Sequence, residues 1–245
     1  MRLTRCFVEA TLRAGTQIVL NEQAALHVAR VLRARVGQAL TLFDGSGGEF
    51  EAEIVQIDRR AVRVAVGAHH AIERESPLSV TLLQALARGE RMDFVVQKAC
   101  ELGAARLVAF TGARSVVRLS ADALTRRTEH WRAIAISACE QCGRNRIPSI
   151  ELARDLATAC AAAPTDAVRL LLDPQATASL PSLVRAARAV VLLIGAEGGL
   201  SGAEIELALR CGFQSCRLGP RVLRAESAPL AALAAIQAIA GDFHA

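Results

Sequence analysis

The order of apolar and polar residues changes period once along the chain. From residue 2 to about residue 70, apolar positions alternate with polar ones in short stretches, Ala39–Phe43, Phe50–Ile57 and Ala61–Val66, broken by the turn signals DGSGG and DRR. Period two with glycine and aspartate between runs predicts a meander of small strands. One helical stretch, NEQAALHVARVLRARVG, interrupts it: Ala25, Val28, Val31 and Leu32 share a face, Arg30, Arg33 and Arg35 lie off it, and Gly37 marks the stop. The charged segment HHAIERESP (69–77) ends in Pro77 and predicts a boundary between a β-rich domain, 1–72, and a second domain, 73–245.

Beyond that boundary strands alternate with helices. LSVTLLQAL, RLVAF, VRLLLD, VVLLI and a short run around Cys216–Leu218 predict strands. GERMDFVVQKACELG, LTRRTEHWRAIAISACEQCG, SLPSLVRAAR, SGAEIELALRCG and PLAALAAIQAIA predict helices. Such alternation predicts an α/β fold with a parallel sheet covered by helices on both faces.

Composition narrows the class. With 52% hydrophobic residues in 245 and a mean hydropathy of +0.31, the chain can bury a substantial core. The longest uncharged apolar run, Ser227–Gly241, is shorter than the ~18–20 residues that cross a bilayer, and contains Pro229 and Gln237. MRLTRCFVEA carries Arg5 and Glu9 where a signal peptide needs an unbroken apolar core, so a cytoplasmic protein without a membrane partner is expected. The seven cysteines are irregularly spaced. Only Cys139 and Cys142 form a Cys-x-x-Cys and no second tight pair follows, so packing is expected and no metal.

Charge points to a partner. Net charge is +5, and residues 84–150 hold eleven Lys/Arg against six Asp/Glu, an excess equal to that of the whole protein. All but Lys98 of the 29 basic side chains are arginine, whose planar fork suits phosphate. A basic face favours a polyanion such as RNA.

In open parallel sheets ligands collect where strands end and loops lead into helices. Three loops qualify. One follows LLLD at Asp173. The second, GAEGGLSG, has glycines at 195, 198, 199 and 202, and Ser201 with Glu204 forms a Ser-x-x-Glu capping box. Its Gly-x-x-Gly-Gly spacing fits neither the dinucleotide fingerprint nor the P-loop. The third, LGPRVLRAESAP (218–229), packs two arginines, a glutamate and a serine into one turn.

Taken together, LLIGAEGGLSGAEIELALRCGF and LGPRVLRAESAPLAALAAIQ resemble the cofactor-binding end of the SPOUT methyltransferases. Within them, the chain is similar to the bacterial 16S ribosomal RNA uridine-N3 methyltransferases. HVARVLRARVG (27–37), FDGSGGEFEAEI (43–54), QKACELG (97–103), RSVVR (114–118) and EQCGRNRIP (140–148) look like that family's other signatures in the same order, over nearly the full length. The resemblance implies a PUA-like RNA-binding β-barrel and an α/β domain with a deep trefoil knot. It also implies a homodimer, S-adenosyl-L-methionine as cofactor, and a uridine of 16S rRNA in the small ribosomal subunit as substrate.

By the same resemblance, Leu218, Gly219, Val222 and Leu223 match the segment around the adenine. Gly195, Glu197 and Gly199 match the loop near ribose and methionine, Leu172 closes the pocket, and Ser227 and Ala228 complete it. Arg224 is the candidate for holding a phosphate or for stabilising the uracil oxygen, with Glu197 or Glu226 as proton acceptor. Glu226 and Ser227 read equally well as plain helix capping before Pro229. Arg30, Arg33, Arg35, Arg114, Arg118, Arg144 and Arg146 are the expected phosphate contacts. Ala196 stands where the family usually has proline and Ser227 where it has threonine; the second keeps the hydroxyl. The rival readings are a SPOUT enzyme acting on transfer RNA or another ribosomal position, and an RNA-binding module that no longer binds cofactor.

Overall fold

The computed structural model describes residues 4–26, 28–29, 34–58, 61–115 and 121–243. Its elements run β1 (Thr4–Phe7), β2 (Gln17–Val19), α1 (Glu22–Leu26), β3 (Ala39–Phe43), β4 (Glu49–Ile57), β5 (Val62–His70), β6 (Ser79–Ala85), α2 (Glu90–Glu101), β7 (Arg106–Phe110), α3 (Ala121–Cys142), β8 (Ser149–Ala153), α4 (Leu156–Ala162), β9 (Val168–Leu172), α5 (Leu180–Val184), β10 (Ala189–Ile194), α6 (Gly202–Arg210), β11 (Gln214–Cys216) and α7 (Ser227–Ala240). The chain divides into two compact units. One holds residues 1–75 together with 139–147, the other 76–138 and 148–245.

In the first unit five strands form one sheet in the order β1-β3-β4-β5-β2, antiparallel except for the β1–β3 pair. Alternation sets the buried face: Phe50, Ala52 and Ile54 of β4 and Val62, Val64 and Val66 of β5 point inward, with Val28 and Ala25 packed on them. The turn joining β3 to β4 needs glycine. At Gly48, φ is +70°, and a Cβ would collide with the His69 ring. Of the helix expected over 21–37, residues 22–26 are helical, while 27 and 30–33 lie outside the described residues.

Residues 139–147 join this unit through a polar network that periodicity could not reveal. Asn145, fully buried, donates through Nδ2 to the Ile72 carbonyl at 2.6 Å, and Arg5 donates to Asn145 Oδ1 and to the Arg144 carbonyl. Arg5 also pairs with Glu49, which receives Arg74 as well. Partial burial alone would raise the Glu49 carboxyl pKa, but the hydrogen bonds and charges of Arg5 and Arg74 outweigh it and hold the group below the usual carboxylate range. A depressed carboxylate stabilises the fold at pH above its unfolded value of about 4.3, and that contribution disappears as pH falls through the folded value. Acid titration of unfolding is therefore expected to show a shallower loss below about pH 4.3 in Glu49→Gln than in the parent chain, measured by urea midpoints at each pH.

The second unit is a six-stranded, all-parallel sheet in the order β11-β9-β10-β6-β7-β8. One face, carrying Leu83, Ala85, Val108, Phe110, Leu171, Val191 and Leu193, packs on α4 and α6. The alternate residues face α5 and α7, which pack on β9, β10 and each other, with α2 against α7. β8 and α4 were not anticipated: α4 is seven residues of mostly alanine, too short for a period to emerge, although Asp155 caps it by accepting from the Thr158 amide. Among the described residues, no helix is long and apolar enough to cross a membrane, and no cluster of three or more His, Cys, Asp or Glu is arranged to hold a metal.

Candidate functional site

Register places the candidate loops side by side. Leu172 pairs with Cys216, and Leu171 with Leu193, so β9, β10 and β11 end level with one another. Gln84 lies opposite Ile194 on β6, and Phe110 opposite Ala85 on β7. Ala153 ends β8 opposite Phe110, so six turns leave one edge of the sheet: those after Ala85, Phe110, Ala153, Leu172, Ile194 and Cys216.

The turn after β10 is tight and tied from three sides. Gly199, at φ +68°, donates to the Ala196 carbonyl, and the two form an isolated antiparallel bridge. A Cβ on Gly195 would sit 2.9 Å from the Gly199 carbonyl carbon and the Leu200 nitrogen, so glycine is required there by the loop's own backbone. Gln84 Nε2 donates to the Gly195 carbonyl at 3.3 Å, and Arg114 Nη1 to the Gly198 carbonyl at 2.8 Å. The capping box forms as the spacing predicts: the Ser201 hydroxyl accepts from the Glu204 amide while Glu204 Oε2 accepts from the Ser201 amide at 2.7 Å.

Glu197 is anchored. Its Oε1 accepts from the Arg88 amide at 3.1 Å and from Arg91 Nη1 at 2.8 Å. Partial burial would raise its carboxyl pKa; its own backbone N–H, the Arg88 amide and the Arg91 guanidinium prevail and hold it below the usual range. Arg91 also lies 3.9 Å from Glu226 Oε1, so one guanidinium stands between the second and third turns. Glu226 precedes α7 and makes no side-chain cap, and its Oε2 is buried without a partner among the described residues. Helix capping therefore does not account for this residue.

The third turn leaves its main chain open. The N–H groups of Leu218, Gly219, Arg221, Val222 and Leu223 have no hydrogen-bond partner among the described residues. Val222 is 80% exposed, an unusual place for a β-branched apolar side chain. Gly219 adopts φ +67° with open space on its Cβ side. Arg224 is exposed and its guanidinium has no partner among the described residues, while Ser227 and Ala228 begin α7, their amides bonded to the Arg224 carbonyl.

The expected phosphate contacts fare unevenly. Arg35 is exposed, and Arg114 is exposed beside the Gly198 turn. Arg146 is half-exposed and donates to Glu73 at 3.2 Å. Arg144 is only 4% exposed and donates through Nε and Nη2 to both carboxylate oxygens of Glu75, so its guanidinium is committed to an internal ion pair. Arg30, Arg33 and Arg118 lie outside the described residues. Sequence reasoning missed Gln84 and Arg91. Gln84 carried a signal, being a polar position near the end of an apolar strand, and it is fully buried with Oε1 unpartnered among the described residues. Nothing local distinguished Arg91.

Comparison with known proteins agrees with this architecture. Residues 74–237 match the model of an RNA methyltransferase domain, and residues 20–66 that of an RNA methyltransferase PUA domain. Ribosomal RNA small subunit methyltransferase E of Buchnera aphidicola (subsp. Schizaphis graminum) is 31% identical over 241 residues, covering 98% of both chains. The crystal structure of a ribosomal RNA small subunit methyltransferase E from Neisseria gonorrhoeae, bound to S-adenosyl methionine, superposes with a TM-score of 0.91 at 33% identity, covering 99% of this chain and 100% of that one. A Legionella pneumophila protein described as a methyltransferase, solved with bound cofactor SAM, reaches 0.95 at 37% identity with the same coverage. Edge-clustered turns on a parallel sheet, a separate PUA-like unit and near full-length similarity together show that the chain belongs to the ribosomal RNA small subunit methyltransferase E family.

Proposed function

We propose that this protein transfers a methyl group from S-adenosyl-L-methionine to N3 of a specific uridine in small-subunit (16S) ribosomal RNA. The observation that carries the reading is the third turn. Its unpaired main-chain N–H groups, beside the apolar Leu218, Val222 and Leu223, offer the donors and flat apolar contact that an adenine requires. The adjoining buried, unpartnered Glu226 oxygen suits a ligand that is cationic or carries a proton. When bound, the cofactor supplies an electrophilic methyl on a sulfonium.

The chain's own residues do the rest. Main chain at 218–223 encloses the nucleoside, Leu172 and Gly199 border it, and Gly195 keeps the second turn closed tightly enough to form a wall. Held reactants gain an effective molarity equivalent to about 7–11 kcal/mol of the barrier. Loss of the N3 proton places negative charge on the uracil oxygens. Arg224, free of internal partners, donates to that oxygen. Of the two carboxylates, Glu197 is engaged by Arg88 and Arg91 and held weakly basic, so it orients the turn. Glu226 keeps a free oxygen and is the proton acceptor.

The resemblance supplies the wider frame of a closed PUA-like barrel, a trefoil knot through the turns after β9, β10 and β11, a homodimer and the small ribosomal subunit as partner; the charged segment at 69–77 supplies the domains of 1–72 and 73–245, and the N-terminal sequence a place in the cytoplasm. Methyl transfer from labelled cofactor to small-subunit particles, naked rRNA and transfer RNA, with the modified base mapped, tests the reading. Label at uridine N3 of 16S rRNA is expected. Label confined to transfer RNA, or no cofactor binding by calorimetry, overturns it.

A further inference from the structure

Beside the Glu197 turn lie two adjoining cavities, about 730 Å³ lined by Arg88, Arg91, Arg114 and Glu197, and about 470 Å³ lined by Asp93, Arg126, Arg127 and His130. Gly89 and Glu90, at the start of α2, line both, so the two cavities flank the α2 N-terminus side by side and together form a groove within the second unit. Five arginines border it, and their hydrogen bonds sort them into two kinds. Arg91 and Arg114 are engaged, one with Glu197 and one with the Gly198 carbonyl. The guanidinium groups of Arg88, Arg126 and Arg127 have no partner among the described residues.

The carboxylates of the groove are mostly occupied. Asp93 accepts from the Trp131 indole at one oxygen and meets His130 at the other, both at 2.9 Å, and Glu197 is held by Arg91. Among the described residues lining the groove, Glu90 is the one remaining carboxylate to set against these three guanidinium groups. S-adenosylmethionine carries one carboxylate and no phosphate, so three unpaired guanidinium groups exceed what it could neutralise. RNA does need them. A base reaches a methyl donor only when unstacked and unpaired, which leaves the flanking phosphodiesters of a single strand to be gripped near the reacting turn.

Resting on the reading above, we propose that the groove between the α2 N-terminal turn and the first turns of α3 holds the single-stranded phosphate backbone flanking the target base, with Arg88, Arg126 and Arg127 as the contacts and Arg91 and Arg114 as internal ties. None of the three was singled out by the sequence pattern, and they replace the buried Arg144 in the footprint.

Anisotropy of the full chain with a short single-stranded RNA of mixed sequence, titrated over KCl, tests this. Each single-strand phosphate contact adds about 0.7 to the slope of log K against log salt, so Arg88→Gln/Arg126→Gln/Arg127→Gln is expected to flatten the slope by about 2. At about 0.1 M salt the same relation predicts about fivefold weaker binding per contact and about a hundredfold for all three. The triple lysine variant, which keeps the charges, is expected to retain the slope, and cofactor affinity by calorimetry is expected to be unchanged in both. An unaltered slope in the glutamine variant with cofactor binding intact overturns the groove while leaving the methyltransferase reading in place. Weakened cofactor binding in that variant assigns the arginines to the cofactor and also overturns it. Failure of the parent chain to bind cofactor or transfer a methyl group overturns the function instead.

Discussion

Arg144→Met is expected to destabilise the protein by about 3 kcal/mol, the lower end of the 3–5 kcal/mol for breaking a buried ion pair, and to leave the salt dependence of RNA binding unchanged. The side chain of Arg144 is 5% exposed and that of Glu75 22%. Removing the arginine leaves a carboxylate with both oxygens stripped of their donors and only limited access to water. Glu75 can recover part of its hydration, which is why the low end applies. For a chain of this size 1 kcal/mol moves the melting temperature by roughly 2–4 °C, giving a fall of roughly 6–12 °C in a thermal melt. Arg144→Met combined with Glu75→Leu removes the stranded charge and is expected to regain much of the loss. A stable single variant with a flattened salt slope would return Arg144 to the RNA-binding surface.

Arg224→Gln is expected to lower kcat by about 10²–10³, the usual effect of removing a donor to a developing oxyanion, with no change in melting temperature. The second half follows from exposure: among the described residues the guanidinium has no partner to lose. Arg224→Lys keeps the charge but not the planar fork, and partial recovery is expected, short of the parent rate. Single-turnover kinetics separates this from binding, since the affinities for cofactor and RNA are expected to stay close to those of the parent. A lost cofactor affinity with kcat intact would move Arg224 from the uracil to the methyl donor.

The two arginines show where reading the chain reached its limit. Both stand in stretches rich in arginine, EQCGRNRIP and LGPRVLRAESAP, and both matched motifs of one family. Arg224 emerges exposed and unpaired; Arg144 is sealed against a carboxylate 69 positions away. Exposure of a cation depends on which distant acid the fold brings to it, and no local pattern carries that. Gln84 shows a different case: a polar residue near the end of an apolar strand is a local sign of a buried task, here the carbonyl of Gly195, and the sign was passed over.

What the chain determined alone was whatever acts over a few residues. Period two placed the strands of the first unit, apolar runs and a period of 3.6 placed most strands and helices of the second, Ser201 and Glu204 closed their capping box three positions apart, and the order of motifs along the chain carried the family resemblance. Elements too short to show a period, such as α4, escaped. The tertiary structure decided the rest: that residues 139–147 fold with the first unit, that Arg91 reaches Glu197 across 106 positions and stands near Glu226, and which guanidinium groups stay free. The reason is physical. Hydrogen-bond periodicity is set by neighbours along the chain, whereas desolvation and pairing of charge are set by neighbours in space, which exist only once the sheet has aligned its turns on one edge.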